Sequence, residues 1–98
     1  MNYLDEIADA IRRAAQPEAL PDDETTDLFR LYAVLLLAKG SAVTCADVHN
    51  AWVAWMISKG ECHPSLVPFE KLDAKKQEED APFVEAIRNV ARARRSTR

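Results

Sequence analysis

Two glycines, two cysteines and two histidines are all that this 98-residue chain holds of the residues that build phosphate loops, disulfide frameworks and metal sites. With so few glycines there is no Gly-rich cradle for a phosphate, and Gly40 and Gly60 both read as helix stops. Two cysteines make no disulfide framework, and a reducing compartment, the cytoplasm, is the expected one. The longest uninterrupted apolar run, Tyr32 to Ala38, is far short of the roughly 20 residues that a membrane-spanning helix needs. The N-terminus carries Asp5 and Glu6 and has no cationic leader region, which argues against secretion. Strand-type alternation is missing over any useful length.

What is present is the composition of an ordinary soluble domain, 48 % hydrophobic and 30 % charged. At this length one modest core is the expectation, so residues 1–98 form a single domain. The net charge of −3 gives no overall field for nucleic acid, although its distribution is uneven. Asp22, Asp23, Glu24 and Asp27 form one acidic patch, Glu78, Glu79 and Asp80 a second, and five arginines from Arg88 onward make the C-terminus basic.

Hydrophobic periodicity predicts four helices. Leu4, Ile7, Ile11 and Ala14 form a narrow stripe over 3–15, which predicts a peripheral helix. Pro17 and Pro21 make a loop of residues 16–24. Thr25 or Thr26 caps a second helix to 39, apolar all round through Tyr32–Ala38 and therefore expected at the centre of the fold. Thr44 and Asp47 have capping-box spacing at the head of a third helix, 45–59. Its stripe is Val48, Ala51, Trp52, Trp55 and Met56. Glu61 to Phe69 is a proline-framed loop, and 72–79 is a short charged helical turn. Asp80 caps the last helix, 81–94, where Pro82 is tolerated in the first turn. The expectation is an all-α, compact four-helix domain, with the Pro-framed loop between the third and fourth helices. Its core is led by Leu35, Leu36, Trp52, Trp55, Phe69 and Ile87.

Three constellations bear on chemistry. Cys45 and His49, four residues apart on one helix face, have bidentate metal spacing, but Cys62 and His63 are neighbours and point apart. No metal and no cofactor is therefore expected. A Cys–His nucleophilic pair lacks an elbow, an oxyanion loop and an orienting third residue, so no catalytic residue is assigned. Arg88, Arg92 and Arg95 recur at i, i+4 and i+7 and are the candidate phosphate contacts. Cations at a helix C-terminus also complement its dipole, and the chain is acidic overall, so nucleic acid is not the favoured partner.

The remaining signal is Val48-His49-x-x-Trp52, then Gly60, then His63-Pro64-x-Leu66-Val67-Pro68-Phe69-x-x-Leu72. This string resembles the repeat domain of ryanodine receptors, with Gln77-Glu78-x-Asp80 similar to that family's acidic lead into its closing helix. The resemblance covers about residues 46–92, leaving the N-terminal helices 3–39 and a basic tail 93–98 outside it. Between Gly60 and His63 only Glu61 and Cys62 remain, where the family has a longer segment that supplies much of its proposed ligand surface. The resemblance implies a scaffold in which His49 and Trp52 support the loop while Leu66, Val67 and Phe69 pack it down. The binding candidates are thus His49, Trp52, His63, Pro64, Leu66, Pro68 and Phe69. The whole chain also resembles short proteins of actinobacteria and their phages.

The function expected is a non-enzymatic protein-interaction module, the alternative being a regulatory domain for nucleic acid or a nucleotide ligand. Ryanodine receptors carry the repeat as a tandem pair, so a single copy points to a symmetric homodimer, with Val53 and Ile57 off the main stripe as surplus apolar surface. The alternative is a monomer in which Leu4, Ile7 and Ile11 of the first helix cover that surplus.

Overall fold

A computed structural model describes residues 2–15 and 25–96. The Pro17–Pro21 loop, the acidic residues 22–24 and the end of the basic tail lie outside this range. The described residues contain only helices and turns. They are α1 (Tyr3–Ala15), α2 (Thr26–Lys39), α3 (Cys45–Ser58), α4 (Ala74–Glu78) and α5 (Ala81–Ser96). Short 3₁₀ turns at Gly40–Ala42 and Phe69–Lys71 join them. The four long helices and the charged turn at α4 fall where the periodicity places them.

Local chemistry sets these boundaries. At the head of α1 the Asn2 side chain accepts from the Asp5 N–H at 2.8 Å. Thr44 and Asp47 form the expected capping box, with Asp47 N–H to Thr44 Oγ1 at 3.3 Å and Thr44 N–H to Asp47 Oδ2 at 2.9 Å. Lys39 then pins Asp47 at 2.9 Å, so the end of α2 and the start of α3 are tied by one carboxylate. At the end of α3 Gly60 takes φ 73°, while its N–H reaches Ile57 O and the Glu61 N–H reaches Met56 O. This is the double hydrogen bond that a glycine in the left-handed region allows, and it turns the chain sharply into the loop.

Two of the expected caps are built differently. Thr25 makes no side-chain cap for α2; its hydroxyl accepts from Arg12 Nη2 at 3.4 Å, a tie to α1. Asp80 does not cap α5 through its carboxylate. Its backbone carbonyl accepts from the Phe83 and Val84 N–H groups, both at 3.1 Å. Pro82 occupies the second helical position and has no N–H to give, which removes a donor that a capping side chain would take. The Asp80 carboxylate is left to face elsewhere.

The core is centred differently from the expectation. α1 is not peripheral. It packs along both α2 and α5, and Ile7 and Ile11 are 2 % and 0 % exposed. The stripe is narrow because two helices close on it from either side. Each isoleucine buried this way contributes about 1.5–3 kcal/mol. Around them lie Phe29, Tyr32, Ala33 and Leu36 of α2, Val43, Val48 of α3, and Val84, Ala86, Ile87 and Ala91 of α5. Phe29, Tyr32 and Phe83 form an aromatic trio, with Phe29 edge-on to Tyr32 at 5.3 Å and Tyr32 5.7 Å from Phe83. Of the expected leaders Leu36 and Ile87 are buried, whereas Leu35, Trp52, Trp55 and Phe69 are half-buried. Nor is α2 enclosed on most sides, since Val34 and Leu37 are about half exposed at 49 % and 48 %. An all-apolar turn of sequence can reflect two different uses, a core on one side and an open face on the other.

Candidate functional site

The loop after α3 is built by its own hydrogen bonds. His63-Pro64-Ser65-Leu66 is a reverse turn in which the Leu66 N–H donates to His63 O at 3.1 Å, with proline at the position that its fixed φ suits. The Ser65 N–H donates to His63 Nδ1 at 3.0 Å, so the imidazole is held by its own turn. At the far end Gln77 donates its side-chain amide to the carbonyls of Phe69 (3.1 Å) and Leu72 (3.2 Å), joining α4 to the loop.

His49 anchors the middle. It is 3 % exposed, and its Nε2 lies 2.7 Å from Val67 O. A carbonyl only accepts, so Nε2 carries the proton and donates. The ring lies tilted against Trp52 at 5.9 Å and Phe69 at 6.0 Å, and Trp52 in turn meets His63 edge-on at 5.2 Å. His49, Trp52, His63 and Phe69 are thereby brought into one cluster. Leu66 is half-buried, while Pro64 and Pro68 stay exposed as the frame. The carbonyl that the loop supplies here goes to His49. Replacing His49 by Phe keeps a ring and removes the donor. It should cost about 1–3 kcal/mol, with faster amide exchange at Leu66 and Leu72 while α1 and α2 stay protected. Unchanged urea stability and loop exchange would show that the bond does not hold the loop.

Behind this cluster is a cleft of about 350 Å³. It is lined by Leu28, Tyr32, His49, Trp52, His63, Ser65 and Phe83, together with Lys76 of α4 and Glu79 and Asp80 after it. Lys76 and Glu79 pair at 3.5 Å on the exposed rim. The Asp80 carboxylate forms no ion pair or hydrogen bond among the described residues. Burial raises its pKa above 3.8, the Glu79 charge adds to this, and nearby His49 offsets part of it. Tyr32 is 2 % exposed. Burial, and after it the Asp80 charge, push its hydroxyl far above the usual phenol range. The chain belongs to DUF7701. This family is described as a domain of unknown function, and its model matches residues 2–92. No curated protein and no solved structure matches the chain. The DUF7701 match runs from α1 into α5 and so takes in every wall of the cleft.

Tyr32, Lys76, Glu79, Asp80 and Phe83 were not among the sequence candidates. Tyr32 is the single polar group in an aliphatic run, and Pro82 already denies Asp80 an N–H to cap; these were the available signals. Among the described residues no three of His, Cys, Asp and Glu are placed to hold a metal ion. Cys45 is half-buried at the head of α3 and Cys62 is exposed in the loop. Of the candidate phosphate contacts, Arg88 donates from Nε to Val43 O at 3.0 Å and lies 3.8 Å from Glu85. Arg92 reaches Asn89 at 3.3 Å, and Arg95 is exposed.

Because the folded pKa of Asp80 is raised, its ionisation works against folding. Stability is lost as pH rises from 3.8 through the folded value, where the native state still holds the proton that the unfolded chain has released. Asp80→Asn should therefore raise the urea midpoint at pH 7 and leave it unchanged at pH 3. A lower midpoint for the variant at pH 7 would contradict a carboxylate buried without a partner.

Proposed function

We propose that this DUF7701 chain is a small non-enzymatic interaction module, a single-copy ryanodine-receptor-type repeat acting in the cytoplasm, whose recognition site is the cleft between Trp52 and Asp80. The observation that carries this reading is the 2.7 Å bond from His49 to Val67 O. It fixes the loop against α3, so the cleft is formed before anything enters it, and a pre-formed site loses less entropy on binding. At about 350 Å³ the cleft is at the small end of ligand sites, the size of one side chain or a small molecule. The Cys45 thiol is pushed up by burial first and by the Asp80 charge second, away from the reactive thiolate, which speaks against this cysteine as a nucleophile. No helix among the described residues is long and apolar enough to cross a membrane.

A fragment set of mixed charge, monitored by ¹H–¹⁵N spectra, tests the site. The expected result is a group of compounds that shift the amides of Trp52, Ser65 and Phe83 together and are not turned over. A cleft silent to every fragment at millimolar concentration would defeat it. The nucleic-acid alternative makes an opposite prediction, affinity falling steeply with salt. Arg88 is spent on Val43 O, so its inner contact is already engaged, and only weak binding with a shallow salt slope is expected for an oligonucleotide.

A further inference from the structure

The charges around the cleft do not balance from within. Lys76 is paired with Glu79 on the rim, Arg88 is committed to Val43 O, and the His49 donor goes to Val67 O. Asp80 is left as an anionic group without an ion pair or hydrogen bond among the described residues, in a space lined also by Trp52, Tyr32, Phe83 and His63. Tyr32 brings a second polar group to the same space. It is 2 % exposed, lines the same space, and its hydroxyl makes no hydrogen bond among the described residues. Asp80 and Tyr32 line the same cleft. Neither group is needed there for the fold. The capping of α5 is done by the Asp80 backbone, and a phenylalanine would fill the volume of Tyr32.

Two acceptor oxygens against an aromatic wall form a site for a cation that carries N–H donors. The carboxylate supplies the charge-assisted hydrogen bond, and the faces of Trp52 and Phe83 supply attraction to positive charge. A quaternary ammonium would use the rings and waste both oxygens. An anion would meet Asp80 and Glu79. Resting on the cleft reading above, we propose that the cleft binds a guanidinium or primary ammonium group, as a free small molecule or as an arginine or lysine side chain of a partner protein. The Asp80 carboxylate and the Tyr32 hydroxyl accept from its N–H groups, and Trp52 packs against its face.

The test uses the full chain with Trp55→Phe, which leaves Trp52 as the sole indole, and reads its fluorescence together with the cleft amides. The probes are methylguanidinium, butylammonium, the peptide acetyl-Gly-Arg-Gly-amide, tetramethylammonium, and methylurea as the neutral isostere. Methylguanidinium and the peptide should shift Trp52 saturably, with methylurea and tetramethylammonium far weaker. Asp80→Asn, whose folding is checked by helical circular dichroism, should lower affinity roughly ten- to a hundredfold, the scale of one charged hydrogen bond. Tyr32→Phe, which keeps the ring, should lower it less. A peptide that binds clearly tighter than methylguanidinium assigns the cation to a protein side chain, and equal affinities assign it to a free molecule. If methylurea binds as well as methylguanidinium and Asp80→Asn changes neither, the cation is overturned and the cleft stands. If no probe of any charge moves Trp52 or the cleft amides, both are overturned.

Discussion

Ile11→Ala is expected to cost about 2–5 kcal/mol, the range for removing a fully enclosed aliphatic side chain. Ile11 is 0 % exposed, at the seam where α1 meets α2 and α5, so little of the void can be filled from solvent. A domain of this size has only about 5–15 kcal/mol in all, and each kcal/mol moves the midpoint by about 4–8 °C. A fall of about 10 °C or more by differential scanning calorimetry is the expected outcome. The comparison that gives this meaning is Trp52→Ala. Trp52 would cost about 3–5 kcal/mol if it were enclosed. It is half-buried and faces the cleft, so about half of that is expected. A Trp52 variant that melts well below the Ile11 variant would return the core to α3 and contradict the packing of α1.

This reversal marks the limit of what was legible beforehand. Features set within a few residues were readable because their causes are local. The Thr44–Asp47 box, the Gly60 stop and the Asp73–Glu78 turn each arise from a handful of consecutive residues. The anchoring of the loop by His49 was expected from the resemblance, which implied His49 and Trp52 as its supports. Which helix becomes central depends instead on pairings between distant segments. A 13-residue stripe with two isoleucines looks the same whether one helix or two close on it.

The candidate site divides along the same line. Its lining residues His49, Trp52, His63 and Ser65 are contained in one string. Others come from Tyr32 on α2 and from Asp80 and Phe83 at the head of α5, far apart in the chain. Asp80 had a sufficient local explanation as a helix cap, and only the position of its carboxylate removes it. A residue with an adequate structural role in the sequence gives no sign of a second one, so the missing N–H of Pro82 was the single hint. The arginines show the converse. Three residues at helical spacing look equivalent, yet Arg88 is turned to a backbone carbonyl while Arg95 is exposed.

In solution the chain is expected to have a mass near twice 11.0 kDa at micromolar concentration. The reason is the face of α2 and α3 that α1 leaves open. Val34 is 49 %, Leu37 48 % and Ile57 65 % exposed, and Val34 also lines, with Leu4, Leu31, Ala54 and Trp55, a shallow groove of about 420 Å³ to which Asp27, Arg30 and Ser58 contribute as well. α1 was the alternative cover for this surface. Its buried isoleucines are turned into the seam with α2 and α5, and only Leu4 reaches the groove. Contiguous apolar surface of this kind is rarely left to water. A second copy supplies a matching face, since a two-fold axis brings the same patch of each chain together. Leu37→Glu with Ile57→Glu places four carboxylates in such an interface and none in the core. The pair should reduce the mass measured by light scattering to 11.0 kDa while leaving the helical circular dichroism unchanged. A parent chain that already scatters as 11.0 kDa at micromolar concentration would defeat the homodimer.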